Sequence, residues 1–270
     1  MASQFPEFPL PGVVILLYGI AWSWTYAAPK IRGLPSTVTP HHGCCRCWPR
    51  LFYAHPFGGL IKLGAGIVGI AASLFVAYPD GTYRYVGDAQ YVTIFLFFWL
   101  SGATDVLSHY APHCVSRGAV RYAMGQAFFM EGLLFASGEG SSDPGVRRAE
   151  LLLVAAAIAC GVVAVLGGVF PGVEAFRCAA ALVHGSWYVQ LTVTQQIEAV
   201  RRHDPVLVTP EPPASHRVLW VSLAFAWHCA GAFLFLLLLL LLRRRPCKQH
   251  LPRQEHHSCP MCDVAFQLTS

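Results

Sequence analysis

The chain has 270 residues, of which 55% are hydrophobic and only 12% charged, with a formal net charge of +5. A soluble domain carries about 25% charged residues, so the composition excludes an ordinary water-facing surface and points to hydrocarbon as the solvent. The positive charge stands in the flanks of apolar runs, as at Arg243, Arg244 and Arg245. It makes no basic stripe along one element, which excludes nucleic acid as a partner.

Seven apolar stretches follow in chain order, at residues 9–27, 57–78, 89–110, 118–138, 151–170, 173–194 and 218–242. Each approaches the ~20 residues that a helix needs to cross a ~30 Å hydrocarbon core. In lipid every backbone N–H must be satisfied inside its own segment, so these runs are expected to be helices. They lack the two-residue alternation of barrel strands. The expected fold is all-α: a polytopic membrane protein with seven transmembrane helices in one bundle over residues 1–245, then a flexible cytosolic tail over 246–270.

The first stretch is preceded by Glu7 and by no basic residue, so it reads as an uncleaved helix and not as a signal peptide. The second carries Lys62 and five glycines, Gly58, Gly59, Gly64, Gly66 and Gly69, whose spacing permits close helix contact. The fourth and sixth are the most interrupted, by Arg121 and Glu131 and by Arg177 and His184. The seventh is the most continuous, with seven leucines at residues 236–242 before three arginines. Loops are short except at 28–56 and 195–217. The second of these holds Pro205, Pro210, Pro212 and Pro213 and is expected to be extended.

Orientation follows from the basic residues in the loops. Lys30, Arg32, Arg46, Arg50, Arg117, Arg121 and the tail from Arg243 to Arg253 fall on one side of a seven-span protein. The other side has Arg84, Arg147, Arg148, Arg201, Arg202 and Arg217, diluted by acids. The N-terminus is therefore expected to be luminal or extracellular and the C-terminus cytosolic. Trp22, Trp24 and Tyr26 suit an aromatic belt at the cytosolic end of the first helix.

Four ordered segments carry a resemblance: residues 97–107 (FFWLSGATDVL), 126–135 (QAFFMEGLLF), 184–190 (HGSWYVQ) and 225–229 (FAWHC). Together they resemble the transmembrane protein 45 and transmembrane epididymal protein family, from the first helix through the seventh. The resemblance implies a seven-helix membrane protein of the secretory pathway, in Golgi, endosomal or plasma membranes, and implies little about chemistry. Asp105, Glu131 and His228 match positions where the family also carries polar residues. Relatives have histidines near the start of the third helix and around the loop after the fourth. Here Gln90 and Tyr91, then Gly138, Gly140 and Glu150, stand in those regions, a departure that counts against a catalytic metal.

Ionisable groups inside a membrane cost ~2.5–3.5 kcal/mol at its centre and need partners or water. The candidate intramembrane polar site is Asp105, His109, Glu131, His184 and His228, with Lys62 as a further ionisable group. Asp105 and His109 share a helix face at a spacing of four, so the acid could orient the imidazole. An Asp/Glu/His set that converged could bind zinc, relay protons or hydrolyse a lipid. The plainer reading is hydrogen-bonded pairs that join helices. The HExxH and GxSxG signatures are both missing.

A second cluster lies in the flanks. His256, His257, Cys259 and Cys262 have ligand-like spacing for zinc, alone or together with residues 41–47 (HHGCCRC). Cys44, Cys45 and Cys47 read equally as juxtamembrane palmitoylation sites. The sequence thus reads as a non-enzymatic multi-pass protein whose partners are the bilayer and other membrane proteins. The competing readings are a metal-dependent membrane enzyme acting on a lipid, and a transporter or channel.

Overall fold

A computed structural model describes residues 9–27, 57–77, 86–138, 142–167, 170, 172–203 and 213–243. Among them the chain forms seven helices and no strand: α1 (Leu10–Tyr26), α2 (Phe57–Ala77), α3 (Val86–Tyr110), α4 (Arg117–Ser137), α5 (Pro144–Leu166), α6 (Val173–His203) and α7 (Ala214–Arg243). Every expected apolar stretch contains a helix, but two boundaries move by seven residues or more. Helix α5 begins at Pro144, seven residues before the apolar run. The Asp143 side chain accepts hydrogen bonds from the backbone N–H groups of Gly145 (2.7 Å) and Val146 (3.0 Å), and proline at the first helical position leaves no orphan donor. Helix α6 continues past Thr194 to His203. Polarity set the expected end, but Gln, Glu, Ala and Arg favour a helix whether or not lipid surrounds it.

Asp143 also pairs with Arg217 at the start of α7, 2.9 Å away. Asp143→Ala is expected to lower stability by about 1–2 kcal/mol through loss of the cap. A thermal unfolding midpoint in detergent that does not move would contradict that assignment.

Four helices are long and apolar enough to cross a membrane, at Phe57–Phe75, Ala89–Tyr110, Pro144–Leu166 and Ala214–Leu242. Helix α1 is apolar but shorter. Helices α4 and α6 fall outside that group, since they carry Arg117, Arg121 and Glu131, and Glu174, Arg177 and His184 respectively. These are the two stretches whose interruptions stood out in the sequence.

Large apolar side chains cover much of the surface, and several polar ones lie inside beside an apolar core. Lys62, Ser101, Glu131, Glu150, His184 and Thr192 are buried, whereas Phe75, Leu107, Phe176, Trp220, Trp227 and Phe233 are exposed. Water would reverse this arrangement, and hydrocarbon tolerates it.

The helices pack in antiparallel pairs: α1 along α6, α2 along α3, and α4 along α5. Helix α3 joins α4, α5 joins α6, and α7 leans on α5 and α6. Glycines permit the close approaches. A Cβ on Gly12 would meet Val189 N at 2.9 Å, one on Gly19 would meet Leu182 N at 2.8 Å, and one on Gly185 would run into the backbone of Leu16. Of the five glycines in α2, Gly59, Gly66 and Gly69 face α3, Gly58 lies by Tyr18, and Gly64 has open space beside it.

Paired residues fix the directions. Gly102 lies against Lys62, Phe98 against Phe128, Gly125 against Val165, Ala149 against Trp187 and Ser186 against His228. From α2 onward each helix therefore reverses its predecessor. Helix α1, antiparallel to α6, points the same way as α3, α5 and α7. The core lies along α6: Trp187, Tyr188 and Leu191 pack against Ile94, Phe135, Leu153 and Val154. Cys178 and Leu182 pack against Ala232 and Leu236.

Candidate functional site

Glu131 and His184 form the most buried polar pair. Both side chains are 0% exposed, and His184 Nε2 lies 3.2 Å from Glu131 Oε1. Helix α4 supplies the acid from the face it turns to α5 and α6, and α6 supplies the imidazole from the residue next to Gly185, its tightest glycine contact. Phe128 stands edge-on to the imidazole with centroids 5.6 Å apart, and Tyr188 packs at 6.2 Å. Glu131 Oε2 and His184 Nδ1 have no hydrogen-bond partner among the described residues. The pair can share one proton between carboxyl and imidazole. It supplies two metal-ligating groups, and among the described residues no third His, Cys, Asp or Glu joins them.

Asp105 belongs elsewhere. Its Oδ2 lies 2.6 Å from Lys62 Nζ, which also donates to Ser101 Oγ at 3.2 Å. The ammonium stands 5.5 Å from the centre of the Tyr18 ring, and the Tyr18 hydroxyl donates to the Gly58 carbonyl. One lysine thus joins α1, α2 and α3. The close approach of α2 to α3 through Gly59 and Gly102 brings the two charges together. A Cβ on Gly102 would lie 2.7 Å from Lys62 Cβ.

The expectation that Asp105 orients His109 is not met. The carboxylate turns to a nearly buried ammonium, a full charge in low dielectric and so a stronger partner than imidazole. His109 is exposed at the end of α3, edge-on to Tyr110 at 5.0 Å.

His228 lies on the opposite side of α6 from His184. Its Nδ1 is 2.8 Å from Ser186 Oγ, and its ring stands edge-on to Trp187 at 5.4 Å. Trp187 in turn donates from Nε1 to the Ala149 carbonyl at 3.1 Å, tying α6 to α5.

The five residues expected at one polar site are therefore distributed over three separate helix contacts and one exposed helix end. Among the described residues no group of three or more His, Cys, Asp and Glu side chains could hold a metal ion. A lipid hydrolase built from Asp105, Glu131, His184 and His228 around one metal is not assembled here. Cys44, Cys45 and Cys47, and likewise His256, His257, Cys259 and Cys262, lie outside the described residues.

Ser101 and Ser186 complete two of the contacts and had no signal of their own. Serine is common in apolar helices, where its hydroxyl usually bonds to its own backbone. Ser23 does so to the Gly19 carbonyl at 2.6 Å, and Thr192 to the Tyr188 carbonyl at 3.0 Å. The polar contacts coincide with the four segments that carried the family resemblance, at Ser101 and Asp105, Glu131, His184, and His228. No protein-family model matches this chain.

Proposed function

We propose that this chain is a seven-span integral membrane protein of the secretory pathway or plasma membrane, similar to the transmembrane protein 45 and transmembrane epididymal protein family. It acts without a reaction of its own, through contacts with membrane partners and lipid. The observation that carries this reading is the pairing of the intramembrane polar groups. Lys62 with Asp105, Glu131 with His184 and His228 with Ser186 each join two helices, as structural hydrogen bonds in bundles do. A catalytic centre would instead gather them around a substrate-sized space.

The alternating helix directions support seven spans. Helices α4 and α6 cross because their ionisable groups at mid-length, Glu131 and His184, face each other and not lipid. Helix α1, at 17 residues, is ~25 Å long and crosses with a modest local thinning of the bilayer. Arg117, Arg121, Arg177 and Arg243 gather at one end of the bundle, which supports a cytosolic C-terminus and a luminal or extracellular N-terminus.

Alkaline carbonate treatment of microsomes is expected to leave the chain in the pellet. Protease is expected to remove an epitope fused after Ser270 while sparing one placed before Met1. Release into the supernatant, or equal protection of both ends, would end the seven-span reading. A specific turnover of purified protein that Glu131→Ala abolishes would overturn the non-enzymatic one.

A further inference from the structure

A crevice of about 580 Å³ opens between α1, α6 and α7. Its floor is α6, through Leu182 and Ser186, and its walls are Leu16 and Ile20 of α1 and the 224–235 stretch of α7. The volume lies within the ~300–1,000 Å³ range of pockets that hold a drug-sized molecule. The lining is apolar apart from the indole N–H of Trp227 and one hydrogen-bonded couple, His228 and Ser186.

The hydrogen bonds of that couple leave one ring nitrogen open. Ser186 Oγ donates its single proton to the Val183 carbonyl at 3.2 Å. Its contact with His228 Nδ1, at 2.8 Å, is then one in which Nδ1–H donates and the hydroxyl accepts. A neutral imidazole protonated at Nδ1 presents a bare lone pair at Nε2. That nitrogen has no hydrogen bond among the described residues. At that nitrogen the ligand must offer a donor, such as a hydroxyl, where an ester carbonyl or carboxylate would meet lone pair with lone pair.

Depth narrows the ligand further, and here the inference rests on the membrane-spanning reading. His228 is the central residue of the apolar span Ala214–Leu242. Phospholipid headgroups stay at the interface, ~15 Å from the midplane of a ~30 Å core, so they do not reach it. The crevice, at about 580 Å³, suits a small molecule and not a second transmembrane helix ~10 Å across and ~30 Å long. Ala224, Gly231 and Ala232 give the α7 wall a low relief bounded by Trp227 and Phe235, suited to a flat, rigid body. Such a body also loses less conformational freedom on binding than a two-chain lipid.

We infer that the α1/α6/α7 crevice is a binding site for a neutral sterol-like alcohol, whose hydroxyl donates to His228 Nε2.

The test uses the full chain in phosphatidylcholine nanodiscs with a photoreactive, alkyne-bearing sterol that keeps its 3-hydroxyl. Label is expected on peptides of α1, α6 and α7, with cholesterol as an effective competitor. Its 3-O-methyl ether is expected to compete on the order of tenfold less well, equivalent to about 1.4 kcal/mol. His228→Leu should reduce labelling by a similar factor. Gly231→Leu should reduce it at least as much without lowering the unfolding midpoint, because a Cβ at Gly231 meets nothing within 4 Å and points into open space.

Equal competition by the ether, labelling that survives Gly231→Leu, or equal labelling by a photoreactive diacylglycerol would each overturn the assignment. A chain retained by carbonate-washed membranes but unlabelled loses only the sterol site. A chain released by carbonate loses the membrane reading as well.

Discussion

Gly185→Leu is expected to disrupt the bundle, with a loss of 3 kcal/mol or more. Any Cβ at Gly185 would enter the backbone of Leu16, with the Gly12 carbonyl also only 2.9 Å away. Overpacking against side chains costs about 1–3 kcal/mol, because side chains move. Here the obstacle is main chain on α1, so α1 and α6 must separate and strip the contacts between Leu16, Leu182 and Trp22. Gly185→Ala should fall near the upper part of that 1–3 kcal/mol range. Gly64→Ala is the matched control. It has nothing within 4 Å, and alanine favours a helix over glycine by up to ~1 kcal/mol. Thermal or chemical unfolding in detergent reads all three variants. A Gly185→Leu protein as stable as Gly64→Ala would show that α1 does not pack on α6 at this point.

Removing one partner of the Glu131–His184 pair should cost about 2–4 kcal/mol, and removing both should cost much less. The hydrogen bond itself is the smaller quantity, about 0.6 kcal/mol on average between membrane helices. The larger is the ionisable group left without a partner in hydrocarbon, ~2.5–3.5 kcal/mol. His184→Leu strands Glu131, and Glu131→Leu strands His184, each beside an aromatic wall of Phe128 and Tyr188 that offers no replacement. The pair is also imperfect, with Glu131 Oε2 and His184 Nδ1 unsatisfied. An apolar pair of similar volume therefore recovers most of the loss, as replacement of buried ion pairs often does. A double-mutant cycle measured by unfolding in micelles should give a coupling of about 2 kcal/mol or more. Simple additivity would mean that the two side chains do not depend on each other.

The Glu131–His184 pair also shows what hydropathy alone does not register in α4 and α6. Hydropathy counts Glu131 and His184 as obstacles to crossing. In the bundle each answers the other, so neither helix exposes its ionisable mid-length residue to lipid. The same applies to Lys62 in α2, which reaches Asp105 across the α2–α3 contact.

Composition and run length alone led to an all-helical chain that contains several apolar helices. The reason is local: in hydrocarbon a segment must close its own backbone hydrogen bonds, and the number of apolar residues needed is set by bilayer thickness. The helix caps were local as well, and the Asp143–Pro144 start of α5 was open to inspection although the apolar run hid it. Partners of the polar side chains were not. Lys62 and Asp105 are 43 residues apart, Glu131 and His184 are 53, and Ser186 and His228 are 42. Helical periodicity says which face a residue occupies, but not which helix lies against that face. That depends on the order of helices around α6, which follows from where glycines let two backbones meet. Asp105 illustrates the difference: its own helix offered His109 at a spacing of four, and the neighbouring helix offered a buried ammonium at 2.6 Å, the stronger partner in a low dielectric.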